Sequence, residues 1–340
     1  MLARRRAVPK SYRPGPMEVE LSELTRVAQE RVALEARLVP EAAPRARVLG
    51  RAEWVAASAA SLERLAGPSL ARATRGRRRP PAVIEQFGAR ASAIEMGSVL
   101  AWLSTKVLGQ YDLLVGDTPS VDEDVISYVG PNIVALEELH GFAATEFRMW
   151  IALHECAHRA QFTGTPWLRR YFLDLVDEVL LSLPSGAASV LHGLTRAATE
   201  ALHGDNPLAE HGLAGLFASP EQREALSRLS VLMSVLEGHG EVVMDEAARD
   251  VVPGATHFHD VLRHRRQTTG TPGNFLNQLL GLDAKMRQYA EGEHFVRALR
   301  NAGGPALVAE LFEGPEQLPS LSELREPTLW LARASGSLVR

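Results

Sequence analysis

The chain has 340 residues, 46% of them hydrophobic, with 37 Lys+Arg against 41 Asp+Glu and a formal charge of −4. That length and apolar fraction suit one large or two medium domains with an ordinary hydrophobic core, and the charge excludes a globally basic nucleic-acid binder. A lone cysteine, Cys156, excludes both an internal disulfide and a multi-cysteine zinc ribbon.

The N-terminus opens on Met1, Leu2, Ala3 and three arginines, like the charged start of a signal peptide. The next stretch, Ala7 to Met17, carries Pro, Lys, Ser, Tyr, Arg and Gly in place of an apolar segment, so residues 1–16 read as a disordered basic leader. No apolar run approaches the roughly 18–20 residues that cross a bilayer. A cytoplasmic protein with neither a membrane nor a nucleic-acid partner is the expectation.

Apolar residues at helical spacing predict a helix over 18–38, through Leu21, Leu24, Val27, Val32, Leu34 and Leu38, and a second over 51–65. The run Arg75-Gly76-Arg77-Arg78-Arg79-Pro80-Pro81 reads as a solvated loop, and residues 17–82 as a helical N-terminal extension. Residues 84–108 are helical in pattern. Two β-like runs follow, 111–115 and 125–129, separated by Gly116-Asp117-Thr118-Pro119-Ser120, and predict a hairpin. After Pro131-Asn132 a long apolar-periodic segment spans 142–162 and stops at Gly164-Thr165-Pro166. Further helices are expected near 168–182, 187–202, 221–249, 274–300 and 305–313, then a turn at 318–320 and a short C-terminal helix. Residues 83–340 read as one catalytic domain. The fold class is mainly α (α+β), with a small sheet before the helix at 142–162.

That helix carries His154-Glu155-Cys156-Ala157-His158, an HExxH sequence. Spacing i, i+4 puts both imidazoles on one helix face, where they can share a Zn²⁺, and Glu155 is placed to take a proton from water as general base. Such a site needs a third protein ligand and an open fourth position. The run after His158 offers none, since Gln161 and Gly164 stand where a longer-spaced motif would have Gly and His. The richest source is Glu237-Gly238-His239-Gly240-Glu241, continued by Asp245. Glu237, Glu241 and Asp245 share a helix face, and spacing alone leaves Glu237, Glu241 and His239 open as the third ligand.

The stretch EFRMWIALHECAHRAQFTGTPWLRRYF at 146–172, the EGH-then-MD segment at 237–245, GLDAKMRQYAEG at 281–292, Leu318-Pro319 and EPTLWL at 326–331 together resemble the bacterial zincin-like metallopeptidase type 2 family. The resemblance covers about residues 85–335 in order. Some members are labelled as associated with biosynthesis of a deazaflavin coenzyme. The resemblance implies a zincin-like metallopeptidase fold, zinc on His154 and His158, Glu155 as base, and an acidic third ligand; the family's EGH motif falls on Glu237, Gly238 and His239 and so selects Glu237.

Around that centre, His239 could donate to a substrate oxyanion, as could Tyr289 or Arg287, and Asn132 could lie near an edge strand that accepts an extended peptide. His257, His259 and His264 read as a surface loop. Cys156, Trp150, Trp167 and Trp330 read as packing residues. The expected function is that of a zinc-dependent hydrolase acting on a peptide or protein. Two alternatives are a non-catalytic metal-containing interaction protein, and a di-iron carboxylate oxidoreductase built on Glu155-x-x-His158 and Glu291-x-x-His294.

Overall fold

The computed structural model describes residues 8–40, 42–74, 97–112, 124–181, 220–268 and 282–337. Contacts divide the chain into two compact units. Unit one takes residues 1–33, 40–159 and 247–258; unit two takes 34–39, 160–246 and 259–340.

Unit one opens with α1 (Pro14–Ala36), which buries Met17, Leu21, Thr25, Ala28 and Val32, steps of three and four that make one continuous stripe. β1 (Arg45–Leu49), α2 (Arg51–Thr74), a helical stretch at 97–103, β2 (Gly109–Tyr111) and β3 (Val125–Val129) follow. The sheet order is β1-β3-β2. β1 runs parallel to β3, with Val48 beside Tyr128, and β2 runs antiparallel to β3, with Gln110 beside Ser127. Among the described residues β3 is the central strand, with Ile126, Ser127, Tyr128 and Val129 all buried, and β2 lies at an edge. Trp54 of α2 packs with Leu100 and Val129 and donates its indole N–H to Gln110 Oε1 at 2.8 Å.

β3 runs directly into α3 (Gly130–His140), which has Pro131 in its first turn, where no intrahelical donor is needed, and ends on Gly141 in the left-handed region at φ 67°. A Cβ on Gly130 would sit 2.8 Å from Val48 Cγ1 and 2.9 Å from Tyr12 Oη. Tyr12 is thereby packed against the start of α3, so the segment expected as a disordered leader is tied down from within its second half. α4 (Ala144–Thr163) completes this part of the chain.

Unit two is helical among its described residues. It contains α5 (Leu168–Leu181) and most of α6 (Pro220–Ala248) and α7 (Ala255–Thr268). α8 (Leu282–Ala309) is broken at Gly304, φ 69°, just before Pro305. Two 3-10 turns, Glu310–Phe312 and Pro315–Gln317, lead to α9 (Leu321–Arg325), whose start is a capping box between Ser320 and Glu323. α10 (Pro327–Ser337) closes the chain. Trp330 is fully buried, meets Phe295 edge-on and donates to Gln317 O at 2.7 Å.

The mainly helical fold with a small sheet agrees with the expected class, and the helices expected at 142–162, 168–182 and 221–249 are present. The pair of strands expected at 111–115 and 125–129 is antiparallel as predicted, with the first displaced to Gly109–Tyr111. β1 and α3 were not foreseen. The histidine cluster at 257–264, read as a loop, lies on α7. The arginine run at 75–81, the helix expected at 187–202 and the domain boundary at 82/83 lie outside the described residues. No helix among the described residues is long and apolar enough to cross a membrane.

Candidate metal centre

α4 forms because its apolar residues recur at helical spacing. Phe147, Trp150, Ile151, Leu153, Ala157 and Ala160 are buried, and Glu146 sits in its first turn, where a negative charge complements the N–H groups. On this frame His154 and His158 stand one turn apart, ring centroids 4.7 Å and planes at 84°. Trp150, one turn earlier, stacks on His154 at 6.5 Å and 15°, and continues into a cluster with Phe147 and Phe258. The imidazole pair is therefore bordered on one side by aromatic surface.

Cys156 is fully buried on the helix. Burial pushes its thiol well above the ordinary value, and Sγ points to Thr25 O at 3.5 Å, which agrees with a neutral packing residue.

Glu155 lies on the same helix, 6% exposed, and its carboxyl group fills the space beside the edge strand. A Cβ on Gly109 would come 2.5 Å from Glu155 Oε1 and 2.6 Å from its Cγ, so β2 admits this carboxylate only because residue 109 has no side chain. Sequence reasoning missed Gly109, although a glycine opening a strand is a recognised signal of close approach. It also missed Arg159. That guanidinium is fully buried: Nε donates to Asp124 Oδ1 at 2.8 Å, Nη2 pairs with Asp124 Oδ2, Nη1 donates to Gln29 Oε1 at 2.7 Å, and Nη2 also reaches Ala42 O at 2.8 Å. The residue after the second histidine thus ties α4 to α1 and to the start of β3.

Asn132 lies near the edge strand β2, meeting Val107 two residues before it. It sits in α3, buried, donates Nδ2 to Ser104 O at 2.8 Å and Val107 O at 2.6 Å, and accepts from Arg51 Nε at 2.8 Å. These bonds use both of its amide protons and its oxygen, and make it an architectural tie for the chain entering β2.

In unit two, α6 carries the EGH segment. Glu237 is partly exposed and His239 fully buried. His239 Nδ1 lies 2.9 Å from Gln161 Nε2, and its ring meets Phe312 at 4.6 Å. Gly238 explains itself by packing, since a Cβ there would fall 2.5 Å from Glu293 N on α8, and one on Gly292 would fall 2.6 Å from Ser234 C. The two helices cross backbone to backbone at this pair. Farther along α6, Glu241 pairs with His259 at 2.9 Å and Asp245 with Arg297 at 2.5 Å. Burial raises the Asp245 carboxyl, opposed by Arg297.

His259 faces α6, His264 is exposed, and His257 meets Phe142 edge-on within unit one, so the three do not form a metal cluster. Glu291 pairs with Arg325 at 3.4 Å and His294 is exposed. That removes from Glu291-x-x-His294 the inward-facing pair of ligands a di-iron bundle uses. Arg287 and Tyr289 lie on α8, with side chains outside those described.

A mainly helical fold around an HExxH helix whose two imidazoles face the same way, with the intervening glutamate against a sheet edge, defines a zincin-like hydrolase. The chain matches the zincin-like metallopeptidase family over residues 2–331 and belongs to it. It is also similar to a solved structure from Chloroflexus aurantiacus, described as a candidate hydrolase with a novel fold, with TM-score 0.68 and 26% identity over 96% of this chain and 93% of that one. No curated protein matches.

Proposed function

We propose that this protein is a zinc-dependent peptidase in which His154, His158 and Glu237 hold the ion and Glu155 is the general base. The observation that carries the reading is the pair of imidazoles 4.7 Å apart on one face of α4, in a chain of the zincin-like family. The donor set supports it: two imidazoles and one carboxylate are a catalytic zinc composition that leaves a fourth position open. Glu237 enters the set as the residue on which the family's EGH motif begins, on α6. Glu241, the rival carboxylate, is engaged by His259.

Bound zinc would lower the pKa of water towards about 7 and polarise a carbonyl group. Glu155 takes the proton of the attacking water on a carboxylate oxygen and delivers it to the leaving amine. Gly109 leaves room for that carboxylate, and the aromatic border at Trp150 keeps water off one side of the imidazoles. β2, at an edge of the sheet among the described residues, would offer its backbone to an extended peptide. His239 has no exposed surface and in this reading serves from inside the protein as a hydrogen-bond donor.

The test is metal analysis of the purified protein together with cleavage of a mixed peptide library. One zinc per chain and cleavage are expected, with Glu155→Gln keeping the zinc while losing about 10²–10⁴-fold in rate. Cleavage that persists in Glu155→Gln, or a protein that binds no zinc, overturns the reading.

A further inference from the structure

We infer that Gln161 fixes the tautomer of His239, so that its Nε2 carries the proton and neither ring nitrogen has a lone pair to give a metal. The tautomer stands on hydrogen-bond geometry alone; its consequence for the ligand set rests on the metallopeptidase reading.

Gln161 lies on α4, three residues past His158. Its Nε2 is 2.7 Å from Leu236 O and 2.9 Å from His239 Nδ1. The Leu236 carbonyl can only accept, and having two lone pairs it can serve both the helix and a side chain. Turning the amide over would set Gln161 Oε1 against that oxygen, acceptor against acceptor at 2.7 Å. The amide nitrogen is thereby held in place.

One of its protons goes to Leu236 and the other is directed at His239 Nδ1. A nitrogen that faces an N–H must present its lone pair, so the neutral ring carries its proton on Nε2. The opposite tautomer, or the imidazolium, would place N–H against N–H. Both side chains are without exposed surface, so water does not step between them, and an unsatisfied buried donor costs about 1–3 kcal/mol. The Phe312 ring against His239 limits rotation of the imidazole.

Metal binding requires a lone pair. Nδ1 spends its own on Gln161, and Nε2 holds a proton. His239 therefore leaves the set of third-ligand candidates, and its Nε2–H becomes a fixed donor to an oxygen acceptor. Gln161 is a positioning residue for that donor.

The experiment uses the full chain labelled with ¹⁵N-histidine, with long-range ¹H–¹⁵N correlations recorded after chelation and after zinc addition, and with His239→Asn to assign the signal. Expected are a pyrrole-type Nε2 and a pyridine-type Nδ1 for His239 in both states, while the His154 and His158 signals shift with zinc. Gln161→Met should convert the single tautomer of His239 into a mixture. A protonated Nδ1 in the wild type, a zinc-induced shift of His239 into coordination, or an unchanged tautomer in Gln161→Met overturns the inference. Should Gln161→Met fail to fold, the wild-type spectra with and without zinc decide the matter. Failure of zinc to move His154 and His158 would count against the metallopeptidase reading and leave the tautomer assignment standing.

Discussion

Glu155 and Gly109 constrain each other. The carboxylate occupies the volume that any side chain at 109 would need, at 2.5 Å from a Cβ placed there. Gly109→Ala therefore displaces the base without touching the histidines. The expected result is a kcat lower by about tenfold or more, a loss typical of a misplaced group, with the zinc content of the wild type; equal kcat would show that Glu155 does not work from this position. Arg159 makes a stability claim of the same residue scale. Its bonds to Asp124 and Gln29 are made at zero exposure, and breaking such a pair leaves a buried charge uncompensated. Arg159→Met should cost about 3–5 kcal/mol, read as a lower urea midpoint. Restoring most of that loss by adding Asp124→Asn would identify the orphaned carboxylate as its source. The histidines and Glu155 were legible because HExxH is a local pattern whose spacing states its geometry. Arg159 and Gln161 act through partners far along the chain, and a single sequence carries no local mark of such pairings; Gly109, a glycine opening a strand, marks a close approach without naming its partner.

Helical elements were legible where apolar spacing was sustained, as in α1, α4 and α6. β1 was missed because its five residues, RARVL, alternate arginine with apolar side chains too briefly to stand out. α3 escapes the periodicity because Pro131 looks like a break before the helix at 142–162, although proline is at home in a first helical turn. The backbone crossing at Gly238 and Gly292 belongs to this scale. Gly238→Ala would gain up to about 1 kcal/mol of helix propensity, but its Cβ would meet backbone atoms of α8 at 2.5 Å, which cannot rotate aside. Overpacking of this kind costs about 1–3 kcal/mol or more, so a net fall in Tm is expected; a rise would mean that the helices separate freely here. The Glu241–His259 pair adds a pH dependence. Its hydrogen bond to Glu241 raises the His259 pKa above 6.5, against partial desolvation. Stability from that shift is fully present below the unfolded value and is lost as pH rises through the folded one. His259→Gln should thus destabilise more at pH 5.5 than at pH 9, measured by urea denaturation at both; equal losses would remove the ion pair from the account.

For the whole molecule, composition excluded disulfide scaffolds and spans of apolar helix but could not foresee how the chain is partitioned. The compact units interleave along the sequence, and β1 pairs with β3 across about 80 residues, a closure that local periodicity does not encode. The proposed ion tests stability at this scale. A ligand bound only by the native state stabilises it by RT ln(1 + [L]/Kd), about 4 kcal/mol at a thousandfold excess over Kd. At roughly 2–4 °C per kcal/mol for chains of 150–250 residues, and somewhat less for a longer one, chelation should lower Tm by several degrees and zinc should restore it. His154→Ala, already without a full ligand set, should melt at one temperature in zinc or chelator. Glu237→Ala should behave likewise, whereas Glu241→Ala should keep the zinc-dependent shift, because the three-ligand set remains intact. A zinc-dependent shift lost in Glu241→Ala and retained in Glu237→Ala would move the third ligand one turn along α6.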